Sequence, residues 1–523
     1  MRATNMNKTI SKTRLLLAPM VAVALLLLTA TAFAAAPGIT GPVFNLTAQR
    51  AFISQPDGSL VYSWGYGCNG APAGFAPAGI TGTCSNMQVP GPTLIVTQGA
   101  TVTVNLQNGL PTAAGNTSIL FPGFNVTATG GVAGLLTREA APGGTVTYSF
   151  LADTPGTRSY YSGTQGDLQV EMGLYGAIIV VPSTIPAACT SGVHANNVTA
   201  QQANPDVHPV AESNFRLAAA AYNHAQACYD REYLFQFSEM DPRIHRQAEE
   251  QETRICTGCM NVATEPYVPA YFMINGRSMP DDMDSNYAPQ YPHQPYNGNP
   301  HMHPGELVLL RIIGQGRWQH PFHEHGNHVR VLARDGNLIL SATDTNSLAG
   351  PLLFTTTTTP GQAIDGIFYW TGKGLNWDPY GHSPDSTSPD CTPDANGYNT
   401  GAPTAINYFE WCQDHNKPLQ AHPFGAVAGG GPATLPNPNI FANGAWYGGS
   451  PYLGPEATVR AVGSTGTTPP SGTVANSPTD EAGFAFMWHS HNEREITTNN
   501  VFPGGMMMMM LVDSREFVID ENN

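Results

Sequence analysis

Gln319-His320-Pro321-Phe322-His323-Glu324-His325-Gly326 carries three histidines within six residues, and Trp488-His489-Ser490-His491 carries two more far downstream. Side chains alternate faces along an extended strand, so His323 and His325 point the same way, as do His489 and His491. Two such His-X-His pairs, brought together by folding, can hold one metal ion in a cage of imidazoles. Imidazole suits copper, zinc, iron or nickel.

The sequence around these motifs reads as strand. Gly99-Ala100-Thr101-Val102-Thr103-Val104-Asn105-Leu106 alternates apolar and polar residues with period two, and so does Gly144-Thr145-Val146-Thr147-Tyr148-Ser149-Phe150. That is the pattern of half-buried strands. Gly173-Leu174-Tyr175-Gly176-Ala177-Ile178-Ile179-Val180-Val181 is a buried strand by composition. Charged residues make up only 11 %, while Gly (55) and Pro (44) are plentiful and 41 % of residues are hydrophobic enough to fill a core. Regularly spaced short strands between turn signals imply an all-β chain with a β-sandwich over this region.

The expected organisation is a first sandwich over residues 42–182, a polar linker over 183–230 with a short helix in its Ala-rich 215–227 stretch, and a second sandwich over 231–523. Residues 375–480, rich in Gly, Pro, Asn, Ser and Thr, enlarge the second sandwich as an insertion. A degenerate third sandwich within 345–480 is an open alternative. The threonine run at 355–359 reads as a strand. The methionine run at 506–510 reads as a buried closing strand in preference to a thioether site for Cu(I). His301-Met302-His303 reads as a solvated loop.

Residues 1–34 have the form of a secretory signal: a basic start, an apolar run at 15–29, and Ala32-Phe33-Ala34 as a small-X-small cleavage site. The mature chain is expected to be secreted, periplasmic or on the cell surface, without a membrane span. Removing the leader's four basic residues takes the formal charge from -16 to about -20, which disfavours nucleic acid and anionic membranes as partners. The eight cysteines fall into sequence-local pairs: Cys68 with Cys84, Cys189 with Cys228, Cys256 with Cys259, and Cys391 with Cys412. Disulfides are the default in an oxidising compartment. Cys256-Thr257-Gly258-Cys259 also has redox or metal-motif spacing, and a tight structural disulfide is the preferred reading.

The order of Val89-Pro90-Gly91-Pro92, Pro155-Gly156-Thr157, Met172-Gly173-Leu174-Tyr175-Gly176, His320-Pro321-Phe322-His323-Glu324-His325-Gly326 and Trp488-His489-Ser490-His491 resembles the multicopper oxidases. The resemblance implies Greek-key cupredoxin sandwiches, a type 1 copper that takes electrons from a substrate, and a trinuclear copper cluster that reduces dioxygen. By this resemblance His320 matches a type 1 ligand, and His323, His325, His489 and His491 match cluster ligands. The departures are as specific. Leu120, Pro122, Tyr161 and Gly163 stand where the first sandwich would supply ligands. Ser490 replaces the type 1 cysteine, and Glu495 falls near the place of the next histidine.

Four surviving cluster histidines hold one ion, not three. The expectation is therefore a reduced metal site of His323, His325, His489 and His491, taking copper or another transition metal, with Glu324, Glu493 and Glu495 as nearby orienting groups. A divergent oxidoreductase, a non-catalytic metal-handling protein and a structural or surface-assembly protein that kept the fold are the three readings. A complete laccase is not among them. Two-domain relatives form trimers, so the resemblance admits a homo-oligomer. The small-molecule substrate is not legible.

Overall fold

The computed structural model describes residues 36–78, 80–196, 212, 214–375, 380, 391–413, 483–515 and 517–519, with five short strand segments between 419 and 475. The expected signal and most of the expected insertion, with the question of a third sandwich, lie outside these residues.

Strand dominates, in two sandwiches. The first pairs a five-stranded sheet (Gly156–Tyr161, Tyr175–Val181, Leu94–Thr97, Gly38–Thr40, Phe75–Ala76) with another (Leu60–Cys68, Val43–Ser54, Thr101–Asn108, Thr145–Leu151, Thr127–Gly130). Burial along Thr101–Asn108 and Thr145–Leu151 alternates residue by residue, as their period-two sequence requires. Their inward residues join Trp64, Tyr66 and Ile178 in one core. Each large apolar side chain so buried contributes roughly 1.5–3 kcal/mol.

In the second sandwich, one sheet runs through Tyr271–Ile274, Arg231–Met240, Leu307–Gly314, Ala363–Tyr369 and Val329–Arg334. The other runs His301–Met302, Met507–Asp513, Gly483–Ser490, His320–Glu324 and Thr355–Thr358. The two histidine-bearing strands are therefore antiparallel neighbours. Phe322 lies opposite Ser490, His323 opposite His489, and Glu324 opposite Trp488. Phe235, Phe237, Phe322, Phe368, Trp370 and Trp488 fill the core between the sheets. The methionine run is the closing strand, with Met506, Met508 and Met510 in that core. The threonine run pairs with the His320 strand.

The sandwiches meet along a seam. Ala177 and Ile179 pack on Leu234, Ile313 and Ala363. Thr157 Oγ1 donates to Asp365 Oδ1 at 2.6 Å, and Ser159 Oγ donates to Gln315 Oε1 at 2.7 Å. The four cysteine pairs form as their spacing suggests. No helix among the described residues is long and apolar enough to cross a membrane.

Three features differ from expectation. The Ala-rich 215–227 stretch is not a helix. It folds back on itself through bends and an Ala220–Cys228 bridge. Ala220, Ala221 and Ala227 are fully buried, the last two packed with Tyr222, Tyr229, Leu309 and Leu332, so close packing overrides alanine's helix propensity. A helix does form at Pro242–Glu249, where Asp241 caps the N-terminus by accepting from Arg243 N–H and Pro242 occupies the first turn. Finally, His303 is not solvated. It is buried, with Nδ1 2.9 Å from the Asp513 carbonyl and Nε2 2.9 Å from Glu212 Oε2.

Candidate metal centre

The parity of two adjacent strands divides the motif residues into two sites. On His320–Glu324, residues 320, 322 and 324 share the core face, where Phe322 packs. His323 and, just beyond the strand, His325 take the opposite face. On Gly483–Ser490, Trp488 and Ser490 face the core, so His489 and the following His491 turn outward. His320 therefore belongs with Ser490, on one side of the sheet. The other four histidines gather on the far side.

The outer four are mutual neighbours. Ring centroids lie 4.8 Å apart for His323 and His325, 4.9 Å for His323 and His491, and 5.1 Å for His325 and His489. The His489–His491 and His323–His489 separations are 5.4 and 5.7 Å. His489 Nε2 lies 3.3 Å from His325 Nε2. Two imidazoles bound tetrahedrally at about 2.0–2.1 Å have donor atoms separated by about 3.3 Å, so this pair already has the spacing of ligands to one ion.

The rings are also oriented. His489 Nδ1 donates to the Ser490 carbonyl at 2.7 Å, which places its proton on Nδ1 and its lone pair on Nε2. His323 Nδ1 lies 2.8 Å from Thr355 Oγ1. Such contacts fix the rings as the outer partners of metal-binding histidines do. Burial, followed by the neighbouring His325, His491 and His489, pulls the His323 imidazole down to about 4. Burial lowers His489 as well, with His491 adding to it and the Ser490 carbonyl opposing. Neutral imidazole is the metal-binding form. His323, His325 and His489 are buried, while the His491 side chain is 48 % exposed and gives the cluster its opening to solvent. Among the described residues, no three His, Cys, Asp or Glu side chains are arranged as a complete metal-holding group.

The inner site is different in kind. His320 is fully buried, with Nε2 2.9 Å from Glu239 Oε2 and Nδ1 2.9 Å from Glu495 Oε2. The first contact is an aligned hydrogen bond, and the second is an ion pair off the hydrogen-bond direction. Glu495 also accepts from Ser490 Oγ and from Asn492 Nδ2. Glu239 accepts from the N–H groups of Arg317 and Trp318 at 2.6 and 2.9 Å. Burial opposes a charge on His320, but the neighbouring carboxylates of Glu239 and Glu495 outweigh it and raise the imidazole to about 9. His320 thus sits between two carboxylates that favour its protonated form. Glu495 thus serves the inner site, not the histidine cluster. Glu324 is on the core face, away from His323 and His325, and burial pushes its carboxyl well above the usual range. Glu493 stays on the surface, 3.9 Å from His491 Nδ1.

In the first sandwich, Leu120 bridges Tyr161, and a Cβ at Gly163 would sit 2.7 Å from Leu120 Cγ. Leucine thus fills the space beside Gly163. Sequence reading missed Glu239, which lies 81 residues before His320 and has no signature beyond its place in a strand.

Two segments, 76–184 and 263–364, match family models described as multicopper oxidase. An L-ascorbate oxidase of Brassica rapa subsp. pekinensis and a laccase of Aspergillus fumigatus are each 36 % identical over 100 residues, 18 % of this chain. Those matches span 16 % of the length of each relative. Among solved structures, a blue copper oxidase from Nitrosomonas europaea aligns over 90 % of this chain and 85 % of its own, at 15 % identity and TM-score 0.43. A copper nitrite reductase from the same organism aligns over 63 % and 85 %, at 18 % identity and TM-score 0.38. The two matched segments draw on both sandwiches, and the second contains the His320–Glu324 strand: over these segments the chain is similar to the multicopper oxidases.

Proposed function

We propose that this chain is an exported protein that binds a single transition-metal ion, copper by family, at His323, His325, His489 and His491. The observation that carries the reading is the 3.3 Å separation of His325 Nε2 and His489 Nε2 within a set of four neighbouring rings. Their lowered pKa keeps the His323 and His489 rings in the ligand form at neutral pH. Thr355 and the Ser490 carbonyl orient them.

The family's full copper complement does not suit these residues. Ser490 offers a hydroxyl that is engaged with Glu495, where a type 1 site needs a thiolate. His320 is held between Glu239 and Glu495, which favour its protonated form over a free lone pair. Leu120 and Gly163 have no donor atoms. With three of these four imidazoles and a water as ligands, the ion would supply Lewis-acid or redox chemistry at an open position, whereas all four imidazoles would close it. Around it, buried His323, His325 and His489 limit access, and exposed His491 defines the approach. The activity is that of a divergent oxidoreductase without laccase-type four-electron chemistry. A homo-oligomer is compatible with this reading, as is a two-domain division near residues 182 and 231.

A second reading is favoured by the incomplete donor arrangement among the described residues. In it the chain is a structural or surface-assembly protein that kept the cupredoxin fold. Calorimetric titration of the metal-free protein with Cu(II) separates the two. The metal reading expects one site per chain, weakened at least about 100-fold in His325→Ala, since each lost ligand costs several kcal/mol. No saturable heat in the folded wild type supports the structural reading.

A further inference from the structure

We propose that the Cys256–Cys259 disulfide is a thiol–disulfide exchange site, taking electrons from a dithiol-bearing protein in the compartment this chain occupies. The other described disulfides each have at least one buried cysteine: Cys68, Cys412, and both Cys189 and Cys228. Cys256 is exposed and Cys259 half-buried. The bond closes a sequence separation of 3, against 16, 39 and 21 for the others. It therefore restrains the unfolded chain least, and its structural contribution is the smallest of the set.

The surroundings favour exchange. Ile255, immediately before Cys256, is 96 % exposed and offers an apolar contact to an approaching protein. Arg254 Nη1 donates to the Cys259 carbonyl at 3.2 Å, so this side chain helps to hold the backbone that carries the cysteine. Cys259 Sγ lies 3.0 Å from the Cys256 carbonyl oxygen, so the thiol formed on reduction meets an acceptor already in place. The backbone on the far side is held by Gly258 N–H and Met260 N–H, which donate to the carbonyls of Thr112 and Ala113 at 3.0 and 2.9 Å. The exchange can therefore proceed without unfolding the segment.

A partner thiolate attacks Cys256 Sγ, forming a mixed disulfide and releasing Cys259 as a thiolate that takes up a proton. The partner's second thiolate then attacks its own sulfur in the mixed disulfide and frees Cys256. The partner dithiol is oxidised by two electrons to its disulfide, and Cys256 and Cys259 are reduced to thiols.

The test is native reduction of the full chain with graded dithiothreitol, quenching with an alkylating reagent, and mapping of labelled cysteines by mass spectrometry. Cys256 and Cys259 are expected to label together, at least about tenfold faster than the other six, with the fold intact by circular dichroism. In Cys259→Ser, the remaining Cys256 is expected to form a mixed disulfide with oxidised glutathione, and in Cys256→Ser the half-buried Cys259 is expected to react at least about tenfold more slowly. Labelling of Cys256 and Cys259 only in step with the other cysteines, or only on unfolding, overturns the proposal. The wild-type comparison stands even if a variant does not fold.

Discussion

His320 Nε2 lies 2.9 Å from Glu239 Oε2 inside a fully buried site, and the serine that shares its face of the sheet is bonded to a second carboxylate, Glu495. Where the sequence resemblance implies a type 1 copper between imidazole and thiolate, this chain sets an imidazole between two carboxylates.

The first consequence is spectroscopic. The intense band near ~600 nm of blue-copper sites needs a thiolate ligand, so the copper-treated protein is expected to lack it. Ser490→Cys alone is expected not to produce it, because both ring nitrogens of His320 stay engaged by Glu239 and Glu495. A visible spectrum of each protein checks this, and a blue wild type contradicts it.

The second concerns stability. Glu239 bonds His320 and also accepts from the Arg317 and Trp318 N–H groups. Removing one partner of a buried ion pair leaves an uncompensated charge and costs roughly 3–5 kcal/mol. Glu239→Gln should lower the urea midpoint accordingly. Glu265→Gln, which removes an exposed partner of Arg317, is expected to change stability by less than about 1 kcal/mol.

The third is pH dependence. Burial disfavours the Glu306 carboxylate, but Arg231, His303 and Arg515 outweigh it and hold the group far below its ordinary 4.5. A depressed acid stabilises the fold fully above its unfolded pKa and loses that contribution as pH falls towards the folded one. Stability should therefore be insensitive to this group from pH 7 to about 5 and decline below 4.5. Glu306→Gln should be less stable at pH 7 and show a shallower acid decline in urea unfolding.

The histidine cluster was legible because strand parity is local: residues two apart share a face whatever the fold does. Its assembly also rested on a register, His323 opposite His489, that no local pattern states. The disulfides were legible because each pair is close in sequence. Glu239 was not, since a glutamate in an apolar strand gives no hint of its partner 81 residues on. The Ala-rich 215–227 stretch misled because its alanines are there for close packing against Tyr222 and Tyr229. The buried role of His303 depends on Asp513, from the far end of the chain.

Elemental analysis of the purified protein beside His323→Ala and His489→Ala is the most direct test of the single-ion site. The expected result is close to one transition-metal ion per wild-type chain and a value near zero in both variants. Near zero metal in the wild type, or close to four copper ions per chain, would contradict it.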